Sequence, residues 1–279
     1  MQQKTKKWLS LVLAVLLVSA CFTGTLLVRA AQDVAIDETH FPDAGFRQIV
    51  AEKCDKNGDG ILSDSERSSI THMMLPAWQE DVLGEGTPIV SLEGIQYFYN
   101  LQNLYCADIG LTSLDVSALS KLTQLTCMDN ALGTLDLSKN TALTQINCAA
   151  DQLTELKLPH GVQRLLCENN ALTALDLSGC TALTYLKCAN NQLATLNLGA
   201  NTALSTLIVS NNHLPSLDLR ANTALAAVNL GQQTITVNAT QQDNVFYAPV
   251  GGLAADGVVY QDTEKYENGN FVTADYALM

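Results

Sequence analysis

The chain is poor in the residues that build most active sites and most globular cores. Only 6% of it is aromatic, and its four histidines (His40, His72, His160, His213) are scattered. No HExxH, GxSxG or glycine-rich phosphate loop occurs, so the short motifs that place a zinc-bound water, an elbow nucleophile or a phosphate cradle are missing. There is no CxxC and no Cys/His cluster with zinc spacing. These gaps argue against an enzyme. Basic residues are also few: 15 Lys and Arg stand against 28 acids, a net charge of −13. Four of those bases (Lys4, Lys6, Lys7, Arg29) fall in the first 30 residues, which hold no acid; without that segment 11 bases face 28 acids, a net −17. Such a surface repels phosphate backbones and anionic lipid, which argues against nucleic acid as a partner. It serves solubility first, with cations or basic partners as the other reading.

What the chain has in quantity is leucine at fixed intervals. From Leu101 to about Leu230 one unit, L-x-x-L-x-C-x-x-N-x-L-x-x-L-D-L-S, is repeated from Leu101, Leu122, Leu143, Val162, Leu183, Leu204 and Leu225. A fixed short period is the signature of a solenoid, in which each coil buries its apolar side only against its neighbours. Positions one, four and six of a unit (Leu122, Leu125, Cys127) point inward and positions three, five and seven outward, the alternation of a strand. Each unit thus adds one short parallel strand, and seven strands make a sheet roughly 30 Å wide. The period is too short for a helix on the back, so extended or tight-turn segments such as Asp136–Ser138 and Asn140–Ala142 are expected there. The third unit is two residues shorter than the rest, which predicts a tightened back loop around Pro159, His160 and Gly161.

Two ladders follow from the repeat. Five of the eight cysteines (Cys106, Cys127, Cys148, Cys167, Cys188) recur at position six. That is a core position filled by a small hydrophobe, not a pairing pattern, so free thiols are expected. Cys54 and Cys180 lie outside the ladder. Position nine carries Asn130, Asn170, Asn191 and Asn212, with Asp151 in the third unit; the end units have Ile109 and Gln233. An inward asparagine both donates and accepts, and so can satisfy the backbone of adjacent coils. Asp115, Asp136, Asp176 and Asp218 recur at position fifteen, interrupted by Lys157 and Asn197. They read as turn residues bonding their local backbone, with a cation site between coils as the alternative.

Residues 1–30 form an export signal: a basic start, an apolar run from Leu9 to Val18 extended by Leu26–Val28, and a small-residue cleavage site before Ala31. Val18-Ser19-Ala20-Cys21 also resembles a lipobox that places a lipid on Cys21, and an uncleaved signal is a third reading; lipid or anchor is the only membrane contact expected. All three put the bulk of the protein outside the cytoplasm. Residues 31–75 read as a helical N-cap. Within it Asp55 to Glu66 fits a twelve-residue EF-hand loop: Asp55, Asn57 and Asp59 supply oxygens one, three and five, Gly60 the turn, Ile61 its carbonyl, Ser63 position nine and Glu66 a bidentate carboxylate. A hard cation such as Ca2+ needs six or seven oxygens at that spacing. Pro42 reads as the start of the entering helix, with Phe46, Ile49 and Val50 as its apolar face. Ser63 and Glu66 double as a capping box for an exiting helix from Asp64 to about His72. Residues 76–100 read as a linker and irregular first coil, 101–237 as the repeats, and 238–279 as a β-type C-terminal cap or the start of a further domain.

The repeat, cleanest over Thr181–Leu196, resembles bacterial secreted leucine-rich-repeat proteins of the internalin-like group, and FPDAGFRQIV followed by DKNGDGILSDSE resembles the EF-hand or dockerin-like segment that precedes such repeats. A dockerin has two calcium loops where this chain has one. The resemblance implies a non-catalytic, secreted or surface-exposed monomer whose concave sheet binds a protein, of a host or of the cell wall. Tyr105, Met128, Arg164, Leu166, Tyr185, Lys187 and Ile208 project from that face and are the expected partner contacts. The competing readings are a structural or adhesive surface protein without a defined ligand, and a non-catalytic fragment of a larger enzyme or glycan-binding protein.

Overall fold

A computed structural model describes residues 33–75 and 88–231 in full and, from residue 235 onward, the backbone of seven strand segments. The export signal with Cys21, the joint from 76 to 87, and Gln233 lie outside the described residues.

The cap comes first. β1 (Val34–Ala35) pairs antiparallel with β2 (Ile61–Leu62), the strand inside the Asp55–Glu66 loop. Between them, α1 (Ala44–Lys53) buries Phe46, Ile49 and Val50. Asp43, not Pro42, starts this helix: one carboxylate oxygen accepts the Phe46 N–H at 2.8 Å, while the other accepts the Val90 and Ser91 N–H groups at 3.0 and 3.2 Å. A single side chain thereby caps the helix and ties the cap to the first coil. Phe41, Phe46 and Phe98 pack at ring-centroid distances of 6.0 and 6.4 Å around Phe41. Gly94 closes on this cluster so tightly that a Cβ there would collide with the Phe41 ring.

α2 (Asp64–Ser69) begins with the expected capping box between Ser63 and Glu66 but stops at Ser69, short of His72. The chain then enters β3 (His72–Met74), which pairs in parallel with β4 (Asn103–Tyr105). The extension of the helix to His72 is therefore corrected. Met73 and Leu75 are buried at the spacing of inward strand residues, and the sheet hydrogen bonds they permit outweigh helix continuation. The remaining strands are β5 (Gln124–Thr126), β6 (Thr134–Asp136), β7 (Gln145–Asn147), β8 (Glu155–Lys157), β9 (Arg164–Leu166), β10 (Tyr185–Lys187), β11 (Thr206–Ile208), β12 (Ser216–Asp218) and β13 (Ala227–Asn229). The main sheet is entirely parallel, in the order β3-β4-β5-β7-β9-β10-β11-β13. It has eight strands where the repeat alone predicts seven, because the cap supplies the first.

Residue pairs with residue across all eight strands, so position four forms a continuous buried row from Met73 through Leu104, Leu125, Ile146, Leu165, Leu186 and Leu207 to Val228. Each such side chain contributes about 1.5–3 kcal/mol of burial. The cysteine ladder runs beside it, and all seven described cysteines are free and buried. After β4, β5, β7, β9, β10 and β11 the chain turns inward through a residue of positive φ, respectively Asp108, Asp129, Ala150, Asn169, Asn190 and Asn211, between 52° and 60°, with Gln152 a second such residue after β7. This turn explains a correction at position seven, where Ala107, Ala149, Glu168 and Ala189 are buried rather than outward.

The asparagine ladder does what its chemistry predicts. Asn170 donates to the Cys148 and Cys167 carbonyls at 2.9 and 3.1 Å and accepts the Asp151 and Leu153 N–H groups at 3.0 and 2.8 Å; Asn130, Asn191 and Asn212 do the same between their own coils. A second ladder lies on the back. Asn140, Asn201 and Asn222, fully buried, each donate to two carbonyls of the preceding coil. Cys180 holds the same place in the coil between and its thiol points at the Pro159 carbonyl at 3.5 Å. The back of the solenoid has strands, turns and, in the first coil, one short 3-10 helix (Ile95–Tyr97), with no α-helix among the described residues: β6 pairs with β8, and β12 with β14 (Ile235–Asn238). The shortened third coil keeps its strands in register, and its His160 ring lies on Gly179 of the next coil. Beyond it the backbone forms β15 (Thr240–Gln242), β16 (Val245–Tyr247), β17 (Val258–Gln261), β18 (Tyr266–Glu267), β19 (Asn270–Thr273) and β20 (Asp275–Leu278), with β14 antiparallel to β19, β15 to β16 and β17 to β20.

Candidate functional site

Two regions carry polar chemistry beyond packing: the outward rows of the main sheet and the loop of the cap. On the sheet, position three presents His72, Asn103, Gln124, Gln145, Arg164, Tyr185, Thr206 and Ala227, and position five Met74, Tyr105, Thr126, Asn147, Leu166, Lys187, Ile208 and Asn229. Of the seven residues expected to contact a partner, five gather on three adjacent strands. Arg164 and Leu166 are on β9, Tyr185 and Lys187 on β10, and Ile208 on β11. Tyr105 stands three strands away, about 14 Å at the usual strand spacing, with Thr126 and Asn147 between. Met128 follows β5, where its sulfur meets the Asn147 amide at 3.2 Å.

The Arg164 guanidinium lies 3.8 Å from the centre of the Tyr185 ring, a close cation–π stack. Lys187 pairs with Glu168 at 2.7 Å, and Glu168 is only 9% exposed. The sequence places Glu168 and Tyr185 at outward positions, but it does not give the stacking of Arg164 on Tyr185 or the burial of Glu168. The signal for adjacency was present, because Arg164 and Tyr185 are 21 residues apart at one repeat position and so must be neighbours. Met74, 53% exposed at the sheet edge, extends the apolar row but belongs to the strand that the repeat pattern does not reveal.

In the cap loop, Asp55 accepts the Gly58 and Gly60 N–H groups, both at 2.8 Å, and both glycines have positive φ. Asn57 accepts the Asp59 N–H at 3.0 Å and its amide donates to Asp59 at 2.9 Å; Asp59 accepts the Ile61 N–H at 2.9 Å. Glu66 accepts the Lys56 N–H on one oxygen at 2.8 Å and the Ser63 N–H and hydroxyl on the other at 2.9 and 2.7 Å. The Ser63 hydroxyl, first among these donors, holds the Glu66 carboxyl below its ordinary range. Glu66 thus joins both ends of the loop. The oxygens follow the order of an EF-hand, but their present partners are the loop's own N–H groups. Among the described residues no three His, Cys, Asp or Glu side chains gather where one metal ion could be held.

Neither the turn carboxylates nor the thiols are set up for catalysis. Asp115, Asp136, Asp176 and Asp218 each accept the backbone N–H two residues on, at 2.9–3.1 Å, as turn residues do. Burial pushes the Cys188 thiol up to about 12 and Cys180 to about 11, so neither is a thiolate nucleophile near neutral pH. Asp151 is the exceptional carboxyl. It is fully buried in the asparagine ladder, accepts the Asn130 N–H at 2.9 Å and the Cys127 thiol at 3.5 Å, and burial pushes it up to about 6.

No protein-family model matches the sequence, and no curated protein matches it. Solved structures do. The chain is similar to the functional domain of InlJ from Listeria monocytogenes, described as including a cysteine ladder, with 24% identity over 76% of this chain and 50% of that one and a TM-score of 0.52; this chain thus spans half of that one's length. It is similar also to internalin C2 from Listeria monocytogenes strain 4b F2365, with 22% identity over 81% of this chain and 95% of that one and a TM-score of 0.60. Likeness at this level of identity speaks to architecture, and the architecture is an internalin-like leucine-rich-repeat solenoid.

Proposed function

We propose that this chain is a non-catalytic, exported binding protein that presents the outward face of its parallel sheet to a protein partner. The observation that supports this best is the patch on β9–β11. An arginine stacked on a tyrosine, two aliphatic side chains and a lysine lie side by side, on a sheet face that no other described element covers. Large partly exposed aromatic and aliphatic groups beside an arginine are the usual anchors of protein interfaces. The residues are carried on rigid, hydrogen-bonded strands, so little order is lost on binding.

The N-terminal segment supports export to the cell surface or medium. Among the described residues, no helix is long and apolar enough to cross a membrane. The Asp55–Glu66 loop is read as a Ca2+ site held by Asp55, Asn57, Asp59, the Ile61 carbonyl, Ser63 and Glu66. What supports it is the all-oxygen donor order, and binding requires Asp59 and Glu66 to exchange N–H partners for the ion. The ion would cross-link the loop ends and stiffen the cap on which β3 depends.

The face reading is tested by replacing Tyr105, Leu166, Tyr185 and Ile208 together with serine in the full chain. The variant is expected to melt like the wild type, because these side chains point away from the core, and to lose the proteins that the wild-type chain captures from its native surroundings. Identical capture by both would place the binding site elsewhere, or leave the chain as a structural surface protein.

A further inference from the structure

We infer that the segment received by the sheet face is acidic: an extended stretch of polypeptide with a carboxylate against Arg164 and an aliphatic side chain over Leu166 and Ile208. This rests on the reading of the face as a protein-binding surface. Charge on the molecule is sorted in a way that a merely soluble surface does not require. The whole chain is at −13, yet positions three, five and seven of the main sheet hold one carboxylate, Glu168, and Lys187 neutralises it at 2.7 Å. The repeat's other acids are at turns, on the back strands, or buried as Asp151 is. The face is thus the one side of an acidic solenoid from which acids are withdrawn, and Arg164 stands exposed near its centre.

Arg164 has no carboxylate partner among the described residues. Its guanidinium rests on the Tyr185 ring at 3.8 Å, which holds the plane flat and leaves the in-plane N–H groups open. That fork fits a carboxylate with two parallel hydrogen bonds. The rest of the molecule repels such a ligand at long range. At physiological salt that field is screened beyond about 8 Å, and the contact at Arg164 decides.

The test pans a displayed library of random dodecapeptides on the full chain at about 150 mM salt, where distant charges are screened. Parallel selections use Arg164→Glu and, as a charge-matched control on a turn outside the face, Lys139→Glu; circular dichroism melts confirm that each variant folds. The expected result is enrichment of Asp and Glu next to Leu, Ile or Phe. Synthetic copies of the selected peptides should lose roughly tenfold or more in affinity on Arg164→Glu, and less than about twofold on Lys139→Glu. Enrichment of Lys and Arg, absence of any enriched sequence, or equal binding to Arg164→Glu overturns the inference. Peptides that are not acidic but lose binding to the four-serine variant overturn it while leaving the face reading intact. Peptides that bind the four-serine variant undiminished overturn both.

Discussion

Asp151 occupies a place where its neighbours in the ladder are asparagine, and one atom separates the two. Asn170 donates to the Cys148 and Cys167 carbonyls and Asn191 to the Cys167 and Cys188 carbonyls, so Cys167 receives two amide hydrogens. Cys127 and Cys148 each receive one, because an ionised Asp151 cannot donate. Burial raises the Asp151 carboxyl from 3.8 to about 6. With the folded value above the unfolded one, the protonated form is favoured by folding. This contribution to stability is full below pH 3.8, declines as the pH rises through 6, and is absent above it. Asp151→Asn is expected to stabilise the protein at pH 7.5 by roughly 2–3 kcal/mol in urea melts, and to remove this group's decline between about pH 4 and 6. Equal stability of the two proteins at pH 7.5 would refute this account. Asn191→Asp should do the reverse in a regular coil. Next to Asp151, Ala150 holds φ at 57°, where other coils have Asp or Asn. Ala150→Asn is expected to gain about 0.5–1 kcal/mol, since asparagine tolerates the left-handed region that alanine avoids; a loss of stability would show that the side chain, not the backbone, governs this site.

The elements differ in how plainly they were written. The strands of the repeat were legible because inward Leu and Cys recur in one register, and the position-nine asparagines followed from the same count. β3 was not, because Met73 and Leu75 sit in a unit without cysteine or asparagine, directly after a capping box that favours reading onward as helix. The back ladder leaves a trace in the sequence as Asn before Thr at Asn140, Asn201 and Asn222, but the repeat pattern marks these only as turn segments. Its Cys180 and Pro159 members break the pattern, so only the carbonyls they face reveal the common role. On the face, the outward positions were legible while the stack of Arg164 on Tyr185 and the burial of Glu168 depend on side-chain packing across coils. The cap loop belongs at this scale too. If it takes Ca2+, the ion stabilises the folded chain by mass action, so chelator is expected to lower the melting temperature of the wild type. Glu66→Gln should lose most of that response. An equal response of the two proteins would exclude this loop as the site.

At the scale of the whole molecule, stability is shared between neighbours rather than around one centre. Every main-sheet strand bonds only to the coil before and the coil after, and both asparagine ladders bond one coil back. Such a stack approximates a one-dimensional chain of interfaces, in which damage to an inner coil weakens two of them at once. Leu165, fully buried on β9, separates the β3–β7 half of the sheet from the β10–β13 half. Leu165→Ala should cost about 2–5 kcal/mol and uncouple the halves, so that native-state hydrogen exchange on β4 and β5 no longer tracks that on β10 and β11. Leu104→Ala removes the same atoms one strand from the edge. It should expose β3 and β4 while leaving β9–β11 at wild-type protection. If both substitutions lower protection evenly along the sheet, the solenoid unfolds as one globular unit. The patch proposed for binding on β9–β11 would then owe its rigidity to the entire molecule rather than to the coils on either side of it.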